Sequence, residues 1–135
     1  MSRILHVPTR NIDDHWPRVR QGLERIIAKT APDWMPEHVY LALVSGAANL
    51  VMVNEGESFV IWQRYPGDDL RGLFFVLAAE GEGLRRYGDE VHAELERLAR
   101  ASGCRKMRMM SPRKGWERLP FWRLSGYVYE HEVKP

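Results

Sequence analysis

"LFFVLAAEGEGLRRYGDEVHAELERLARASGC", residues 73–104, carries the passage from strand to helix on which the fold turns. Leu73 to Ala78 is an unbroken apolar run of strand length. Such a run predicts a central strand covered on both faces. "EGEG" (Glu80 to Gly83) ends it. From Tyr87 to Ala101 the pattern changes to helical spacing. Leu84, Val91, Leu95, Leu98 and Ala99 form one stripe, charges fill the other face, and Gly103 stops the helix. "KMRMM" (Lys106 to Met110) then alternates as a strand does, so at least one of Met107, Met109 and Met110 belongs to the core.

Before this stretch, "RILHVPT" (Arg3 to Thr9) reads as a short strand closed by Pro8. In "DDHWPRVRQGLERIIAKT" the residues Trp16, Val19, Leu23, Ile26 and Ile27 fall at helical spacing. Asp13 and Asp14 suit the positive end of a helix dipole there, and Pro17 suits a first turn. "PEHVYLALVSG" is a second, short helix, with Pro36 at its start and Gly46 at its stop. "NLVMV" and "SFVIWQRY" are strands joined by the hairpin turn "NEGE" (Asn54 to Glu57), and "PGDD" (Pro66 to Asp69) is a further turn. After the long helix, "GWERLPFWRLSG" reads as a helix disturbed by Pro120, and "YVYEHEV" as a last strand. The order is β-α-α-β-β-β-α-β-α-β, with no repeat, linker or low-complexity segment.

The totals fit one domain, residues 1–135, with 44% hydrophobic and 28% charged residues. A net charge of +2 is far from that of a dedicated DNA-binding domain. One cysteine, Cys104, excludes an intrachain disulfide and is read as a structural thiol. His6, His15, His38, His92 and His131 are scattered, without an H-x-x-H or C-x-x-C pair, so no metal site is expected. No apolar run reaches the ~20 residues of a membrane span. The opening residues turn polar too early for a signal peptide. The expected place is the cytoplasm.

The element order resembles that of the GNAT superfamily of N-acetyltransferases. The helix pair followed by an antiparallel meander is similar to the family's first half. Residues 73–104 resemble its central strand, pyrophosphate loop and helix, and "FWRLSGY" resembles its C-terminal aromatic signature. The resemblance implies an α+β fold: a mixed, mostly antiparallel sheet flanked by about four helices. "PEHVYLALVSG", the Gly-Cys after the long helix and "RKGWERL" before a Gly-Tyr resemble, more narrowly, a phage-encoded GNAT-like branch. That branch implies a place in the host cytoplasm or the virion, and virion proteins or a second copy as partners.

The family resemblance also implies acetyl-CoA as cofactor. The expected cleft is formed by Val76, Leu77 and Ala78 on the central strand, Arg85, Gly88 and Asp89 at the phosphate loop, and Trp122. The loop departs from the family pattern. In "RRYGDE", Glu90 stands where Gly or Ala belongs, and Asp89 and Glu90 set two carboxylates beside the phosphates. Like charges ~4 Å apart repel by about 4 kcal/mol at intermediate dielectric. The plainer alternative is that both acids stabilise the helix N-terminus. Acetyl transfer needs a base for the amine proton and an acid for the departing thiolate. Glu80, ending the central strand, is the candidate base. The position of the family's acid tyrosine holds Trp122, which leaves Tyr127 as the candidate acid.

These departures lead to the expectation of a degenerate site and a structural or assembly role rather than an enzyme. A live N-acetyltransferase is the alternative. The third reading, nucleic-acid binding, rests on the tail, where Trp116, Phe121, Trp122, Tyr127 and Tyr129 stand among Arg113, Lys114, Arg118 and Arg123. Those aromatics are expected mainly to close the core.

Overall fold

The computed structural model describes residues 3–30, 34–65 and 72–109. Among them lie β1 (Ile4–Val7), a 3-10 turn (Thr9–Asn11), α1 (Ile12–Thr30), α2 (Pro36–Ser45), β2 (Asn49–Val53), β3 (Ser58–Tyr65), β4 (Leu73–Glu80), α3 (Gly83–Arg86), α4 (Gly88–Ala101) and β5 (Lys106–Met109). The strands form one sheet in the order β1-β2-β3-β4-β5. β1 to β4 pair antiparallel, and β5 joins β4 in parallel. The fold is thus α+β with a mixed, mostly antiparallel sheet. The expected final helix and strand, with Trp122 and Tyr127, lie outside the described residues. No helix among the described residues is long and apolar enough to cross a membrane.

Each sheet face has its own core. On one, Val19 and Leu23 of α1 and Val39 and Leu43 of α2 bury against Leu50, Met52, Phe59 and Ile61. On the other, Val91, Leu95 and Ala99 of α4, with Cys104, bury against Val53, Val60, Phe74 and Val76. Leu98, Met107 and Met109 pack half-buried at that second core. The period-2 alternation of strands and the 3.6-residue period of helices meet at these interfaces.

The turns follow from backbone chemistry. The "NEGE" hairpin places Asn54, Glu55 and Gly56 at φ of 49°, 57° and 92°, the left-handed region that a tight twisted hairpin demands. Pro36 opens α2, and Gly46 at φ 83° ends it with its N–H donated to the Leu43 carbonyl.

The structure departs from the sequence-based expectations in three places. Pro17 lies inside α1, not in its first turn, because the 3-10 turn and the buried Ile12 start the helix earlier. Its missing N–H leaves the Asp13 carbonyl without its helical donor. "EGEG" does not simply end the strand: β4 runs to Glu80, and the four-residue α3 begins at Gly83. The covering of β4 is uneven, with Phe74, Val76 and Ala78 buried while Leu73, Phe75 and Leu77 are half-buried.

Candidate functional site

The second half of β4 differs from the first. Trp62 of β3 pairs with Val76, but the next β3 residue inward, Ile61, pairs with Ala78. Leu77 is therefore an extra residue, a β-bulge, and it changes which side chains face which layer. Phe74 and Val76 face α4; after the bulge Ala78 packs in the α1–α2 core and Ala79 in the α4 core. Unbroken alternation would send Glu80 to the α4 side with Phe74 and Val76. The bulge delivers it to α1.

There Glu80 meets two guanidinium groups. Arg18 Nη2 donates to Glu80 Oε2 at 3.0 Å, and Arg25 Nη1 donates to Oε1 at 3.2 Å. Arg18 also donates to the carbonyls of Gly56 (2.7 Å) and Glu57 (2.8 Å), and its guanidinium lies 5.4 Å from the Phe59 ring centre. The helix can come this close because position 22 is glycine. A Cβ there would stand 2.4 Å from Phe59 Cε1 and 2.7 Å from Glu80 Oε2. Arg18, Gly22 and Arg25 are spaced i, i+4, i+7, one face of α1. None of the three was singled out from the sequence, though this spacing, opposite a strand ending in Glu, was a usable signal.

The parallel ladder between β4 and β5 runs from Leu73–Lys106 to Val76–Met109. β4 continues as Leu77, Ala78, Ala79 and Glu80, and among the described residues no strand pairs with that edge. At about 3.3 Å per residue this is roughly 13 Å of strand edge. The expected cleft residues Val76, Leu77 and Ala78 lie at this departure point.

Beyond Glu80 the chain folds back tightly. Gly81 has φ 117°, and a Cβ on it would come within 2.4 Å of the Glu57 carbonyl and of Ser58 Oγ. The link thus lies directly on the start of β3, and α4 follows at Gly88. Arg85 is exposed and forms no ion pair among the described residues. Around a Cβ built on Gly88 there is nothing within 4 Å among the described residues. Free N–H groups at the first turn of a 14-residue helix, beside an unpaired arginine, suit an anion.

The acidic pair expected to oppose phosphates divides. Asp89 is exposed, whereas Glu90 is held by Arg3, the residue just ahead of β1, Nη1 to Oε1 at 2.7 Å. Arg3 also covers the Tyr87 ring at 4.6 Å. One turn on, Glu94 accepts from Arg97 Nε at 2.7 Å and lies 3.2 Å from His6 Nε2. The Arg97 hydrogen bond, with help from the charges of Arg97 and His6, holds the Glu94 carboxyl below its ordinary range. The repulsion expected from two free carboxylates is therefore reduced to that of Asp89. The other ground for a degenerate site, Trp122, lies outside the described residues, as do Tyr127 and the cationic aromatic tail.

No protein-family model and no curated protein matches the sequence. Solved structures do match the fold. A probable acetyltransferase superposes with a TM-score of 0.70 at 11% identity, covering 98% of this chain and 99% of the other. A ribosomal-protein-alanine N-acetyltransferase from Brucella melitensis biovar Abortus 2308 gives 0.63 at 18% identity, covering 95% and 99%. The aminoglycoside acetyltransferase meta-AAC0020 from an uncultured soil metagenomic sample, in complex with sisomicin, gives 0.69 at 9% identity, covering 97% and 95%. The chain has the fold of the GNAT acetyltransferases.

Proposed function

We propose that the protein binds acetyl-CoA along the free edge of β4 and transfers its acetyl group to an amine. The observation that carries this reading is the Leu77 bulge followed by the edge of Leu77 to Glu80, which no strand covers among the described residues. The pantetheine arm of CoA contains two amides and can continue the strand's hydrogen bonding as an added strand does. The pyrophosphate would then lie by Arg85 and the N–H groups at Gly88 and Asp89, as it does at other helix N-termini. The acetyltransferase fold of the structural relatives supports the same cofactor.

In the reaction, the amine nitrogen bonds to the acetyl carbonyl carbon and the carbon–sulfur bond breaks. The amine gives up a proton, and the CoA thiolate takes one up. Glu80 is the assigned acceptor of the amine proton. Each of its oxygens keeps a lone pair beyond those used by Arg18 and Arg25. Tyr127 is the assigned acid. Isothermal titration with acetyl-CoA, followed by thiol release in the presence of mixed amines, tests the reading. Saturable binding with amine-dependent thiol release is expected. No heat and no thermal shift at millimolar acetyl-CoA would remove it.

One observation favours a second reading, an assembly role as in a virion. Leu41 and Val44, at i and i+3 on α2, are 63% and 38% exposed. Co-purification with particles would support that reading, and amine acetylation at enzymatic rates would end it.

A further inference from the structure

Glu80 provides one negative charge to two guanidinium groups, and no other carboxylate pairs with either among the described residues. The carboxylate of Glu57, whose carbonyl Arg18 binds, is turned to Arg86 at 3.2 Å. The Arg18 side chain is 25% exposed, and its Nη1 is buried without a hydrogen-bond partner among the described residues. Arg25 is 52% exposed, and of its five N–H donors the bond to Glu80 is the one formed among the described residues. Lys29, one turn further along the same face of α1, adds a third exposed cation. This excess stands at the end of β4. Glu80 follows Ala78 by two residues on the same sheet face, a separation of about 7 Å along the strand.

We propose that the acceptor is an amine that carries a carboxylate within a residue or so of its nitrogen, with Arg25 as the residue that reads that carboxylate. The inference rests on the acetyl-transfer reading for the position of the amine. A purely cationic amine would meet repulsion from Arg25 and Lys29, with the single carboxylate of Glu80 already shared. An acidic group would complete the set of charges and give Arg25 a second, bidentate partner. Like-charge juxtaposition rejects wrong partners more strongly than complementary charge rewards right ones, so the cations set specificity.

The test uses three peptide amides that differ in one side chain: Gly-Glu, Gly-Gln and Gly-Arg. Acetylation is measured at saturating acetyl-CoA, and binding of each peptide is measured separately by NMR titration without nucleotide. The expected order of kcat/KM is Gly-Glu above Gly-Gln above Gly-Arg, with roughly tenfold between the ends. Arg25→Gln should bring the three values together, through KM, while the dissociation constant of acetyl-CoA stays as it was. Arg25→Lys should keep the order. Equal or reversed preference, or a preference that survives Arg25→Gln, would overturn the proposal. A protein that binds no acetyl-CoA but still takes up Gly-Glu over Gly-Arg, and loses this with Arg25→Gln, would refute the transfer reading and leave the carboxylate site standing. Absence of discrimination in the NMR titration ends the carboxylate site as well.

Discussion

Arg18 and Glu80 meet at 3.0 Å and join the middle of α1 to the last residue of β4. The same guanidinium binds two carbonyls of the β2–β3 turn, so one side chain ties three elements together. Removing its counterion leaves a partly buried cation, and that costs more than losing a surface pair. Glu80→Gln should destabilise the fold by about 1–3 kcal/mol. Glu37→Gln, which breaks an exposed pair to Arg20, should cost under about 0.5 kcal/mol. Urea denaturation of both variants checks the contrast, and equal losses would mean that the Glu80 pair is as solvated as the exposed one.

Gly22→Ala should be destabilising although alanine is the better helix former by about 1 kcal/mol. The added methyl has to displace Phe59, a fully buried ring, from 2.4 Å. Overpacking of this kind costs ~1–3 kcal/mol. Gly88→Ala is the control, since open space surrounds that position. It should leave stability within about 0.5 kcal/mol or raise it slightly. Thermal melts of the two alanine variants should move in different directions.

Leu95 is 5% exposed in the core beneath α4. Leu95→Ala should cost ~2–5 kcal/mol. A measured loss well under 1 kcal/mol would show that this helix contributes little to the second core.

Glu94 has its pKa lowered in the fold, first by the Arg97 hydrogen bond. Its contribution to stability is therefore complete above the unfolded glutamate value, and is lost as pH falls through the lower folded value. Because the pair is largely on the surface, the amount is under about 1 kcal/mol. Glu94→Gln should flatten the acid limb of a stability-versus-pH curve and narrow the gap to wild type as pH falls. A gap that is unchanged down to the acid limit would show that the residue acts through packing alone.

Asp89 is the remaining uncompensated acid at the start of α4, since Arg3 holds Glu90. Asp89→Asn should tighten acetyl-CoA binding by about 1 kcal/mol, roughly fivefold, at low salt. The gain should shrink with added salt, because what is removed is a screened charge. Titration calorimetry at two ionic strengths reads both.

Much of this architecture was legible in the residues. The hairpin at Asn54 to Glu57, the Pro36 and Gly46 boundaries of α2 and the Val91–Leu95 stripe of α4 are local signals, and each was read from the sequence. The candidate base, Glu80, was also named. Its neighbours were not: the i, i+4, i+7 spacing of Arg18, Gly22 and Arg25 marks one face of α1, but nothing local to it names β4 as the element opposite. The bulge was hidden for a different reason. In an unbroken apolar run from Leu73 to Ala79, an extra residue leaves no polar side chain out of step. The α3 turn was missed because glycines at 81 and 83 read as a plain strand terminator.

Leu77 works as a frameshift within the inside–outside code of a single strand. Even-numbered residues before it face the α4 layer, and even-numbered residues after it face the α1–α2 layer. Closing the bulge by a slip in register, with Leu77 opposite Ile61, would restore plain alternation and send Glu80, stripped of both arginines, toward the apolar side that holds Val53 and Val60. Ala79 would take its place under α1. Such a slip is far more damaging than any single replacement in the strand, because it exchanges the addresses of every residue that follows. Sequence drift can therefore rewrite each half of β4 separately, and even the loss of Leu77 would keep Glu80 at its address opposite Phe59; what the strand cannot accept is Leu77 taken into the ladder.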